Sequence, residues 1–268
     1  MRRPKLTAAM TALLVLLAAA CGGDDGPASA DSPADGSTTA NGSSLEGSIT
    51  VFAAASLTDA FTDLGEAFQQ ANPDTEVAFN FGASSSLREQ ILAGAPADVF
   101  ASANTSNMDQ VVAAGAASDP DVFVSNTLQI AVPAGNPAGV GGLVDVADGD
   151  LLIGLCAEEA PCGQFAREAL SRVGVTPAID TNAPDVRALL TQIESGDLDA
   201  GIVYRTDVLA AGDEVEGIEI PADENVVADY PIAALTDAPD AEVAAAFVAF
   251  VLSGEGREIL APHGFEIP

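Results

Sequence analysis

The chain has 268 residues, of which 48% are apolar and 5% aromatic, with no Trp; that is enough for one large or two medium domains with a buried core. Nine Lys and Arg stand against 40 Asp and Glu, a formal charge of −31. This balance argues against nucleic acid or an anionic lipid surface as a partner, since both are held by clusters of cationic side chains, and it fits a strongly solvated exterior.

In chain order, Arg2, Arg3 and Lys5 precede an apolar run over 13–20. The run is too short to span a bilayer, so residues 1–20 read as a signal peptide. The string Leu17-Ala-Ala-Ala-Cys21-Gly22 fits a lipoprotein signal-peptidase site, with Cys21 the lipidated first residue. The other reading is an ordinary signal peptide followed by a free thiol. Residues 21–47 are rich in Gly, Ser, Asp, Ala, Thr and Pro and read as a disordered tether.

A strand is expected over 48–54, followed by Ser56 in the position of a helix N-cap. Leu57, Ala60, Phe61, Leu64 and Phe68 then fall on one helical face. Further strands are expected over 76–81, 97–101, 128–132, 151–155, 200–204 and 230–235. Helices are expected over 85–93, 107–114, 164–173, 186–194, 206–211, 242–252 and 254–260. Short strands alternating with helices predict an α/β fold with mostly parallel sheet.

The Ser56 junction recurs. Gly82-Ala-Ser84-Ser-Ser-Leu87 is a second strand-to-helix turn, and Pro161-Cys162-Gly163-Gln164 opens a third helix. Asn182-Ala-Pro184-Asp185-Val186 opens a fourth, and Gly201-Ile-Val-Tyr204 ends a strand on a phenol. Helix starts carry unpaired N–H groups and the positive end of the macrodipole, so several of them can hold an anion in one crevice of an open sheet. A serine hydrolase is a poor fit, because there is no G-x-S-x-G elbow and the one His, His263, lies far along the chain. A surface interaction module would not need donors at four helix starts.

The strings Ile49-Thr-Val-Phe-Ala-Ala-Ala-Ser-Leu-Thr58, Phe81-Gly-Ala-Ser-Ser-Ser-Leu87, Gly94-Ala-Pro-Ala-Asp-Val-Phe100, Asp185-Val-Arg187, Gly201-Ile-Val-Tyr204 and His263-Gly-Phe265 resemble the periplasmic molybdate-binding proteins of ABC importers. The resemblance covers roughly residues 47–268. It implies a two-lobed type II periplasmic-binding-protein fold, each lobe a mostly parallel sheet flanked by helices, joined by two crossover strands. Lobe I is then 48–127 with 230–268, and lobe II is 128–229. It implies no enzyme activity and no cofactor. The ligand is molybdate, and tungstate with it, or in the alternative another tetrahedral oxyanion such as sulfate.

Carried over by position, Ser56 and Ser84 each give a hydroxyl and an N–H, Cys162 and Val186 give backbone N–H groups, and Tyr204 gives its phenol. The only metal is the molybdenum of the ligand. The partners implied are a permease and its ATPase, with the membrane reached through Cys21, and the protein acts as an exported monomer held at the outer face of the cell membrane. Asp185, beside a proposed donor, is expected to point away from the anion or to cap its helix. Arg187 is expected at the surface or between lobes, Asp98 at a helix cap or an interlobe bond, and His263 near the C-terminal helix. In an oxidising compartment Cys156 and Cys162 favour a disulfide over two unpaired buried thiols.

Overall fold

The computed structural model describes residues 45–268. The expected signal peptide, Cys21 and nearly all of the tether lie outside them. Strand β1 (Glu46–Ala54) begins just inside the expected tether and ends in a wholly buried run from Val51 to Ala54. It pairs in parallel with β2 (Asp74–Gly82) and, on its other edge, with β3 (Val99–Ala101). Helix α1 (Thr58–Ala71) connects β1 to β2, burying Ala60, Phe61, Leu64 and Phe68. Helices α2 (Ser84–Leu92) and α3 (Thr105–Ala113) follow β2 and β3.

Strand β4 (Asp121–Pro133) is the seam of the molecule. Its first part, to Thr127, pairs with β9 (Val227–Ala234), and β9 in turn pairs with β3. From Leu128 onward β4 pairs instead with β7 (Ala200–Tyr204) and β8 (Val215–Glu219). Beyond β7 lie β5 (Ile153–Cys156) and β6 (Ile179–Ala183), parallel to one another. Helices α4 (Pro161–Arg172), α5 (Val186–Glu194) and α6 (Arg205–Ala211) belong to this second half-sheet. The chain ends in α7 (Ala241–Leu252) and α8 (Gly254–Leu260), which pack back on the first half. The strand order is β2-β1-β3-β9-β4-β7-β5-β6, with β8 on β4.

The first half is held by an aromatic cluster. Phe61 stands 5.7 Å from Phe123 and 6.3 Å from Phe247, and Phe68 stands 5.3 Å from Phe247. These contacts, tilted at Phe123 and edge-on at Phe247, tie α1 to β4 and to α7, so residues at both ends of the chain share one core. Asp98 is a second tie, buried and within this half rather than across it. Its carboxylate accepts from Thr50 N at 2.7 Å and from Asp240 N at 3.0 Å, joining β1 to the start of α7. His263 lies in a short turn after α8, its Nε2 2.9 Å from Asp63 Oδ2 on α1.

Most boundaries shift from the sequence expectation by one to three residues, as where α4 begins at Pro161 and β9 at Val227, and three elements depart further. Strand β4 starts at Asp121 rather than 128, because its first two residues are exposed and a bulge between Val122 and Val124 breaks the alternation. Strands β6 and β8 were not expected. Each has a half-exposed sequence, Ile-Asp-Thr-Asn-Ala and Val-Glu-Gly-Ile-Glu, with too few apolar residues for a period to show.

Candidate functional site

Ser56 does not cap α1. The chain leaves β1 through a single 3-10 turn, Ala55–Leu57, and the helix begins behind Leu57 with no side-chain cap. Thr58 Oγ1 donates to Ala55 O at 2.6 Å, tightening that turn. The Ser56 hydroxyl is turned inward, 2.9 Å from the Tyr230 hydroxyl on β9. The N-cap expectation failed because the turn is tighter than an α-helical start.

Ser84 is the first residue of α2, and its Oγ accepts from Ala103 N at 2.9 Å. An amide can only donate, so the Ser84 hydroxyl proton remains available. Ser85 is also buried, but it is Ser84 that faces the space described next.

Ser56, Ser84, Cys162, Val186 and Tyr204 line one cavity, together with Asp185 and the small residues Ala54, Gly82, Ala103 and Pro161. The first two come from the first half-sheet and the other three from the second. The space is small, about 10 Å3 for the centre of a water-sized body, and all five residues are buried. Pro161 opens α4 and Asp185 caps α5, so Cys162 and Val186 lie in first turns whose N–H groups have no helical acceptor. Asp185 Oδ1 accepts from Ala188 N at 2.9 Å, which occupies its carboxylate at the helix start. Cys156 and Cys162 form a disulfide with Cα atoms 5.8 Å apart, fastening the first turn of α4 to the end of β5.

Tyr204 ends β7 with its ring edge-on to Tyr230, centroids 5.9 Å apart. The residue is 1% exposed, and its hydroxyl has no hydrogen-bond partner among the described residues. Burial, reinforced by Tyr230 and Asp207 nearby, pushes this phenol well above its ordinary value, so it stays a donor. A buried phenol without a partner is costly unless something at the cavity accepts from it.

Two side-chain contacts bridge the halves beside the cavity. Asn104 Nδ2, capping α3, donates to Gln164 Oε1 on α4 at 3.1 Å. Arg187 on α5 pairs with Asp59 on α1. Arg187 thus lies between the halves, and the Nε of the same guanidinium is 3.7 Å from Asp207 Oδ1.

A wider depression of about 260 Å3, lined by Asp59, Arg187, Thr206, His263 and Phe265, shares only Ser56 with the small cavity. Its one guanidinium is already engaged by carboxylates, so the neutral donors of the small cavity are the better anion site. Among the described residues no group of His, Cys, Asp and Glu could hold a metal ion.

Sequence reasoning missed the layer behind the donors. Tyr230 supports Ser56, Asn126 Nδ2 donates to Thr206 Oγ1 at 2.8 Å, and Asp207 accepts from Tyr204 N at 3.1 Å. The polar Ser-Asn-Thr run inside β4 was the one available signal, since a central strand seldom carries it without buried partners.

Asp207 is fully buried, and burial raises its carboxyl to about 7 despite the opposing effect of Arg187. A carboxyl raised on folding stabilises the fold fully below its unfolded value, and that contribution is lost as pH rises through about 7. Asp207→Asn should therefore flatten the decline in stability between about pH 4 and pH 7. Urea melts of both proteins across that range measure the change in slope.

Residues 49–266 match the family described as bacterial extracellular solute-binding protein. The chain belongs to that family. Its members here are binding proteins of transporters rather than enzymes, and they are exported. The chain is 37% identical to the molybdate-binding protein ModA of Mycobacterium tuberculosis over 263 residues, covering 98% of this chain and 97% of that one.

Two solved structures share the fold at lower identity. The periplasmic molybdate-binding protein of Azotobacter vinelandii superposes with a TM-score of 0.72 at 20% identity, covering 82% of this chain and 99% of that one. The sulfate-binding protein SubI of M. tuberculosis gives 0.73 at 18%, covering 82% and 86%. The family fold is the two-lobed α/β periplasmic-binding-protein fold, and β4 is the strand that pairs with both half-sheets.

Proposed function

We propose that this protein is the substrate-binding component of an ABC importer and that it captures molybdate, and tungstate with it, between its lobes. The observation that carries the reading is the convergence of Ser56, Ser84, Cys162, Val186 and Tyr204 on one buried cavity, with the Tyr204 hydroxyl buried and unpartnered. A fully deprotonated tetrahedral dianion only accepts hydrogen bonds, and neutral donors from five points spread its charge without a buried cation. The 37% identical relative named for molybdate supports the choice of anion.

In this reading lobe I is 48–127 with 230–268 and lobe II is 128–229. The lobes close like a hinge on the anion. The closed monomer then presents it to a permease whose ATPase drives uptake. Lipidated Cys21 and the 21–47 tether hold the domain at the outer face of the membrane.

Calorimetric titration of the anion-stripped domain with molybdate, tungstate, sulfate and phosphate tests this. Tight binding of the first two and weak binding of phosphate is the expected result. Equal weak binding of all four would sink the selective-receptor reading, and preference for sulfate would replace its cargo.

A further inference from the structure

We infer that Arg167 is a positioning residue for the anion site: its guanidinium sets the spacing between the first turns of α4 and α5, so that the N–H groups of Cys162 and Val186 serve one ligand. The inference rests on the anion-site reading above. Arg167 stands in the middle of α4, and its side chain is 23% exposed. Nη1 donates to Cys156 O at 2.8 Å and to Gly163 O at 3.0 Å, and Nη2 donates to Asn182 Oδ1 at 2.7 Å. Nε is 3.6 Å from Glu158 Oε1, whose side chain is largely in solvent, so that ion pair adds little.

The three acceptors belong to three segments. Cys156 closes β5, Gly163 follows Cys162 in the first turn of α4, and Asn182 lies near the end of β6, opposite Leu155. A Cβ at residue 163 would stand 2.6 Å from Cys156 O, so the glycine lets the strand end come close enough for one nitrogen to bond both carbonyls. Beyond Asn182 the chain passes Pro184 and enters α5 at Val186.

The two donor turns are not fastened equally. The start of α4 is held to β5 by the Cys156–Cys162 disulfide as well as by Arg167. The end of β6 is joined to the loop after β5 through Ala157 N, which donates to Ala183 O at 2.8 Å. Arg167 links α4 itself to β6. A guanidinium is a rigid planar fork, so bonding two carbonyls on one nitrogen and Asn182 on the other fixes the distance between those segments. A site held ready for its ligand loses less freedom on binding. Without the fork both amides remain, but the turns that carry them drift relative to one another before the anion arrives.

Molybdate titrations compare the unaltered protein with Arg167→Ala, Arg167→Lys, Asn182→Ala and Arg172→Ala. Arg172 is the control: it lies at the end of the same helix, bonds Asn225 O and Glu168, and does not line the cavity. Arg167→Ala should weaken molybdate roughly tenfold. Arg172→Ala should lower the melting temperature and leave the affinity within about twofold. Lysine keeps the charge without the fork, so Arg167→Lys should bind no more than about threefold tighter than Arg167→Ala. Full restoration by lysine, or an equal loss in Arg167→Ala and Arg172→Ala, overturns the inference.

Amide NMR separates positioning from general destabilisation. The molybdate-induced shift at Val186 should shrink in Arg167→Ala while that at Ser84, on the opposite half, is kept, and an unchanged shift at Val186 counts against the proposal. Asn182→Ala removes one arm of the fork and should weaken molybdate about threefold. Unchanged affinity in that variant overturns the inference even if Arg167→Ala does not fold. If the unaltered protein binds none of the anions, the anion-site reading itself falls. If it binds molybdate and Arg167→Ala binds equally well, only the role of Arg167 falls.

Discussion

Ser56→Ala combined with Ser84→Ala should lower molybdate affinity by roughly 10²–10⁴-fold in a protein that still folds but melts at a lower temperature. Hydrogen bonds to a charged acceptor are worth about 1.5–3 kcal/mol each, and both hydroxyls belong to the first half-sheet's share of the cavity. The double variant therefore removes the side-chain donors from one side of the anion and leaves the Tyr204 phenol and the α4 and α5 amides on the other. Stability should fall as well, by about 1–3 kcal/mol for each serine, because the buried Tyr230 hydroxyl and Ala103 amide lose their partners. Calorimetry measures the affinity and a thermal melt checks the fold. Unchanged molybdate affinity would refute the assignment of these two residues.

Gly163→Ala should destabilise the protein by at least about 3 kcal/mol. A Cβ at this position would collide with Ala157 O and lie 2.6 Å from Cys156 O. These are backbone atoms of the loop leading out of β5, and the loop cannot swing away because Cys156 is bonded to Cys162. The glycine is thus required by close approach of two backbone segments. Urea denaturation under non-reducing conditions gives the loss, and a change below about 1 kcal/mol would mean that the loop and α4 separate more easily than this packing allows. Because Cys162 lies next to Gly163, a surviving variant should also bind molybdate less tightly.

Much of this was legible from residue order. Helices α5 and α8 and strand β7 have the expected limits, because each combines a sharp boundary residue with a clear apolar period. Asp185 caps α5, Gly254 opens α8, and Tyr204 ends β7. The five candidate residues were legible for a related reason: each sits at a strand end or a helix start, and in an alternating α/β chain those positions fall on one rim of the sheet.

What sequence could not provide was anything dependent on long-range pairing. Tyr230 is 174 residues from Ser56, and no local pattern announces that their hydroxyls meet. The same holds for Asn126 with Thr206, and for Arg187 reaching Asp59 across the halves. The inward turn of Ser56 was missed because a 3-10 start and an α-helical start look alike in one-letter code.

The position of β9 also orders the birth of the fold. Residues 227–234 form the strand between β3 and the first part of β4, near the middle of the sheet. A chain made from its N-terminus has both of those strands in hand long before their shared neighbour exists, so each carries an open edge meanwhile. The second half-sheet has no such gap, since β4 from Leu128 pairs with β7 and β8, and β5, β6 and β7 pair among themselves. The half that is synthesised first is therefore the half that closes last. Its core waits for Phe247 to arrive on α7, and in that interval it is the part of the molecule exposed to misassembly.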